Sequence, residues 1–169
     1  EDVVRVLVDD REEYKKLRHF ANNIMPSMKR KLFLYHEKVH LFDSRGIEKE
    51  VEKLYNKKIA LKCGGYVFIE ETEGLIAIDV NSGSFNKKHM EETAFRVNSE
   101  AAAEIAKQIR LRDVGGIVII DFIDMVREKH NREIFDLLVN LFKKDRAKIN
   151  VLKMSEFGIV QITRQRIRR

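Results

Sequence analysis

Two aspartates stand where strand-like apolar runs end. Leu75-Ile76-Ala77-Ile78 leads directly into Asp79-Val80-Asn81, and Ile117-Val118-Ile119-Ile120 leads into Asp121-Phe122-Ile123-Asp124. If a long helix joins the two strands, they are parallel and their C-terminal ends share one edge of the sheet. As neighbours they would bring Asp79 and Asp121 together. Two carboxylates at close range repel, so such a pair calls for a cation between them. Oxygen-only ligation suits a hard ion, Mg²⁺ or Mn²⁺. An ion held by two carboxylates keeps water positions open, which supplies the activated water and charge stabilisation that phosphodiester hydrolysis needs. Strand-terminal aspartates also cap turns, and spacing alone leaves both readings open. Asn81, two residues beyond Asp79, falls on the same strand face and could orient that carboxylate or a phosphate oxygen. Asp124, three residues beyond Asp121, is expected on the opposite side, either in a structural role or supporting the site from behind its direct ligands.

The elements that must position these groups can be read from apolar spacing. The stretch 3–8 suggests a strand, and Asp9 or Asp10 caps a helix carrying Tyr14, Leu17 and Phe20 or Ala21, closed by Pro26. A second strand at 32–35 precedes a helix capped by Asp43 or Ser44, with Ile47, Val51, Leu54 and Tyr55 on one face. Runs at 59–62, 66–69 and 75–80, separated by glycine turns, read as three antiparallel strands. A long helix over 90–112 carries Ala94, Val97, Ala101, Ile105 and Ile109 at helical spacing. Gly115-Gly116 ends it, and 117–120 reads as a strand buried on both faces. A helix over 128–144 and strands near 149–152 and 158–163 complete an α/β chain.

Composition narrows the function classes. Among 169 residues, Lys plus Arg number 33 against 27 Asp plus Glu, a formal charge of +6 that permits a polyanionic partner. No apolar run reaches the length of a membrane span. The single cysteine, Cys63, can form neither an internal disulfide nor a multi-cysteine zinc site, which fits a reducing compartment, with the cytoplasm as expected location. Basic residues form two sets: Lys143, Lys144, Arg146 and Lys148, then Arg164, Arg166, Arg168 and Arg169. Alternation along a strand would put Arg164, Arg166 and Arg168 on one face, a spacing able to follow a phosphate backbone, and Arg146 and Lys148 share one parity. The five histidines lack metal-ligand spacing, and neither glycine pair matches a dinucleotide or P-loop pattern. With ten Phe, four Tyr and no Trp, no aromatic ladder for stacking successive bases is evident.

Taken in order, Ala77-Ile78-Asp79-Val80-Asn81-Ser82, Glu91-Glu92-Thr93-Ala94-Phe95, Arg110-Leu111-Arg112-Asp113-Val114-Gly115-Gly116 and Ile120-Asp121-Phe122-Ile123-Asp124-Met125 closely resemble the catalytic region of the bacterial ribonuclease E/G family. Asp145-Arg146-Ala147-Lys148, Phe157-Gly158 and Thr163-Arg164-Gln165-Arg166 continue the similarity. The resemblance implies an endoribonuclease cutting single-stranded, often AU-rich RNA, in RNA processing and decay, with Mg²⁺ as cofactor. It implies metal ligation by Asp79 and Asp121 and a supporting role for Asn81, while the candidate RNA contacts, Arg146, Lys148, Arg164 and Arg166, rest on their charge and strand parity. Lys148 stands where an arginine is usual. In fold it implies a ribonuclease-H-like subdomain over 1–63 and a deoxyribonuclease-I-like catalytic subdomain over 64–169, with a mixed sheet and helices. The family also carries an upstream OB-fold and a sensor for the RNA 5′ end, and a downstream zinc-binding cysteine pair that joins protomers. The chain thus looks like the catalytic core of a longer, homo-oligomeric enzyme. The competing expectation is a non-catalytic RNA-binding or assembly module.

Overall fold

The computed structural model describes residues 3–83 and 90–167; Arg168 and Arg169 lie outside them. The chain divides into two units, Glu1–Glu52 and Lys53–Arg169. The division falls ahead of Cys63 because the strand preceding that residue pairs into the second unit's sheet.

In the first unit, β1 (Val6–Val8) lies parallel to β2 (Leu32–Leu34), joined through α1 (Arg11–Ile24) and a 3-10 turn, Pro26–Lys31. Asp10 caps α1, its carboxylate accepting from the Glu13 amide at 2.7 Å. Two short helices follow, α2 (Leu41–Ser44) and α3 (Ile47–Lys53). The expected cap at Asp43 or Ser44 is displaced. Both residues lie inside α2, and Gly46, at φ 67°, separates it from α3.

The second unit is a six-stranded mixed sheet in the order β3-β4-β5-β6-β8-β7. Three strands, β3 (Lys58–Ala60), β4 (Tyr66–Glu71) and β5 (Leu75–Asn81), form the expected antiparallel meander. Helix α4 (Met90–Leu111) leads to β6 (Gly116–Asp121), which pairs parallel with β5. Helix α5 (Glu128–Phe142) leads to β7 (Ile149–Val151), and β8 (Ile159–Arg164) inserts between β7 and β6, antiparallel to both. Among the described residues, no helix is long and apolar enough to cross a membrane.

One face of the sheet carries the core. Ile76, Ile78 and Val80 of β5, Val118 and Ile120 of β6, and Val160 and Ile162 of β8 pack with Val97, Ile105 and Ile109 of α4 and Ile134 and Leu138 of α5. The alternate residues of those strands face outward, with Leu75 at 37%, Ile117 at 41% and Ile159 at 39% exposure. The reading of β6 as buried on both faces is therefore corrected: both helices cover the same side, so an unbroken apolar run here marks a one-sided strand. Helix α4 runs as expected to within one residue, but the glycine pair is not what stops it. Asp113 takes the left-handed conformation at φ 46°, and the Val114 amide bonds back to the Ile109 carbonyl, before Gly115 is reached.

Candidate active site

The parallel pairing places Asp79 opposite Asp121, each the last carboxylate of its strand, on the face turned away from α4 and α5. Neighbouring strands lie about 4.8 Å apart, so the two carboxylates share one site. Burial, then the charge of Asp79, then that of Asp124, push the Asp121 pKa above its ordinary value. The strand ends at Asp121, and the charge of Asp124, three residues on, is felt there, in keeping with a place just behind the pair. Asn81 lies on the same face as Asp79 and donates from Nδ2 to Asp79 Oδ2 at 2.5 Å, fixing the orientation of that carboxylate.

Helix α4 holds the segment after Asp121 by two side chains that the apolar pattern did not single out. Asn98 is fully buried; its Nδ2 donates to the Ile123 carbonyl at 2.8 Å and its Oδ1 accepts from the Ile123 amide at 3.0 Å. Glu91 accepts from the amides of Val126 and Arg127 at 2.8 and 3.1 Å and lies 2.7 Å from His130 Nδ1. Burial raises the Glu91 pKa, but these bonds outweigh it and hold the group below its ordinary value. A polar Asn98 among α4's inward-facing apolar residues was the available signal. Replacing Asn98 with alanine leaves both backbone groups of Ile123 unpaired. The expected cost is about 1–3 kcal/mol in urea unfolding, with faster hydrogen exchange at the Ile123 amide.

Close approaches fix the other rim. The turn before β4 packs so tightly on β5 that a Cβ at Gly65 would sit 2.6 Å from the Asn81 carbonyl and 2.8 Å from Val97 Cγ1. Glu100 of α4 anchors the same turn, accepting from the amides of Lys62 and Cys63. On the β8 side, the Phe122 amide donates to the Gly158 carbonyl at 3.3 Å.

The four basic residues expected at the site lie elsewhere. Register pairs Asp121 with Ile159 but Gly116 with Arg164, so Arg164 stands at the opposite end of β6, roughly 17 Å away at about 3.3 Å per residue. Arg166 follows it, and Gln165 bonds to the Lys148 carbonyl, which ties Lys148 and nearby Arg146 to the same far end. Arg146, Lys148 and Arg166 are exposed, so their charges face solvent there. Arg164 is overturned as a phosphate contact, because its side chain is only 1% exposed. Its guanidinium donates to Asp145 at 3.0 and 3.3 Å, to Asp113 at 3.0 Å and to the Val114 carbonyl at 2.6 Å. It shares parity with Val160 and Ile162, and it faces inward as they do.

The centre is therefore two carboxylates, an oriented amide and a third charge nearby. Among the described residues, no group of three or more His, Cys, Asp or Glu is arranged as a metal site. The donors present still fit a hard divalent ion, which one or two carboxylates and several waters commonly hold. The two carboxylates set side by side across adjacent strands are what such an ion would answer.

Comparison with known proteins agrees with the motifs at this centre. The profile of the Ribonuclease E/G family matches residues 1–167. Ribonuclease G of Escherichia coli (strain K12) is 40% identical over 165 residues, covering 97% of this chain and 34% of that protein. Ribonuclease E of Haemophilus influenzae is 38% identical over 167 residues, covering 98% of this chain and 18% of that protein. A chloroplastic ribonuclease E/G-like protein of Arabidopsis thaliana is 37% identical over 169 residues, covering 98% and 17%. The chain thus spans about a third of the length of the ribonuclease G it matches, and less of the others. With a profile match across nearly its whole length, the chain belongs to the ribonuclease E/G family.

Proposed function

We propose that this chain carries the hydrolytic centre of a divalent-metal-dependent endoribonuclease acting on single-stranded RNA, with Mg²⁺ as the working ion and Mn²⁺ able to replace it. The observation that supports it best is the juxtaposition of Asp79 and Asp121 on adjacent parallel strands, on the face turned away from α4 and α5. Asp79 and Asp121 would hold the ion, which supplies an acidified water and stabilises charge on the phosphate. Asn81, bonded to one oxygen of Asp79, restricts how that carboxylate can turn. Glu91 and Asn98 keep the segment after Asp121 in place, so the second carboxylate does not drift. Relatives named ribonuclease G and ribonuclease E give the substrate class its chemistry.

The reading is tested with a fluorescent single-stranded RNA incubated with increasing Mg²⁺ and then with EDTA. Internal cuts that rise with Mg²⁺ and stop on chelation are expected. RNA bound at micromolar protein but never cut in Mg²⁺ or Mn²⁺ would instead favour a binding module.

A further inference from the structure

Asp79 and Asp121 belong to a row that crosses five strands. Lys58 stands opposite Phe68, Phe68 opposite Asp79, Asp79 opposite Asp121, and Asp121 opposite Ile159. Directly opposed residues share one face, here the face the helices leave bare. Lys58, Asp79, Asp121 and Ile159 are exposed along it and Phe68 is half-buried. At about 4.8 Å between strands, the Phe68 ring borders the carboxylate pair and Lys58 stands about 10 Å from Asp79. Tyr66, two residues before Phe68 and opposite Asn81, extends the aromatic surface, and the Lys58 Nζ lies 3.8 Å from its ring centroid.

A phenyl ring beside two carboxylates offers a hard divalent ion no oxygen ligand. Its flat apolar surface matches a nucleobase, which stacks on aromatic side chains whatever its identity. A lysine one strand further out offers a charge to a neighbouring phosphate. The other flank of the pair ends in Ile159, aliphatic and uncharged. We infer that Phe68, extended by Tyr66, stacks the base of one nucleotide adjoining the scissile phosphate, and that Lys58 contacts the next phosphate along the row. The platform is one-sided, so only one of the two nucleotides at the cut should need its base. This inference rests on the hydrolytic reading of Asp79 and Asp121.

The test uses three RNAs that differ only at the cut: intact, abasic on its 5′ side, and abasic on its 3′ side. The wild-type protein should lose about tenfold in kcat/KM on one abasic RNA and little on the other. Phe68→Leu, which keeps an apolar side chain in place, should cut all three at the same reduced rate while melting like the wild type. A variant retaining both the full rate and the abasic penalty would overturn the inference, as would a wild-type protein that treats the three alike. A second arm, fluorescence anisotropy of intact RNA in EDTA, needs no cleavage. There Phe68→Leu should weaken binding about tenfold. Lys58→Gln should reduce the slope of log affinity against log salt by about 0.7. Unchanged affinity and slope would reject the platform. Binding with those effects but no cleavage by the wild type would reject the hydrolytic reading alone.

Discussion

Asp121→Asn is expected to lower Mg²⁺-dependent cleavage at least about a hundredfold, and Asp79→Asn to do the same, because each removes one of the two carboxylates proposed to hold the ion. The amide keeps the size and shape of the carboxylate, so the sheet should be undisturbed. Removing one charge from two carboxylates on paired positions also removes their mutual repulsion and the cost of keeping a partly buried charge, both of which push the Asp121 pKa up. In metal-free buffer Asp121→Asn should therefore melt no lower than the wild type. Added Mg²⁺ should raise the wild-type midpoint, since only the folded chain brings the two ligands together, and should leave the variant's midpoint unmoved. Initial rates and melting curves with and without Mg²⁺ measure all of this. A near-normal rate in either variant at moderate Mg²⁺ would sink the two-carboxylate centre.

Arg164→Ala is expected to act on folding rather than on RNA. It leaves the Asp145 carboxylate, 2% exposed, without its guanidinium. Breaking a buried pair from one side costs about 3–5 kcal/mol. That is a large share of the roughly 5–15 kcal/mol that holds a typical domain folded. Urea unfolding should show the loss, while Arg166→Ala, at an exposed position, should stay within about 0.5 kcal/mol of the wild type. The pair also sets an acid limit. Burial raises the Asp145 pKa, but Arg164 and the Ala147 amide outweigh it and hold it below its ordinary value of 3.8. The stabilisation is thus complete above that value and drains away as pH falls through the lower, folded-state pKa. An Arg164→Ala protein as stable as the wild type but weaker on RNA would restore Arg164 as a phosphate contact.

These outcomes separate what local pattern carries from what register decides. Apolar runs ending in Asp79 and Asp121, joined by one long amphipathic stretch, were enough to make the two strands parallel with the carboxylates at one edge, while their being neighbours came only with the sheet order. Alternation alone failed for Arg164, which follows Val160 and Ile162 at the same parity; counting back through those residues would have turned it inward. The distance between the basic sets and the carboxylates depends on β8 running antiparallel to β6, and no short-range feature announces that direction. Phe68 shows the same limit. Two aromatics two residues apart look unremarkable along the chain, and only cross-strand pairing sets one of them beside Asp79.

The length of β6 has its own consequence. The Arg164 cluster and the carboxylate pair sit at its two ends, roughly 17 Å apart, beyond the range at which perturbations usually influence each other. Changes at the two ends should therefore combine additively, the free-energy loss of one unaltered by the presence of the other. A lineage could weaken or rebuild the chemistry at the Asp121 end without endangering the fold, and could strengthen the Arg164 end without slowing the chemistry. A single strand thus divides durability from reactivity within one small sheet.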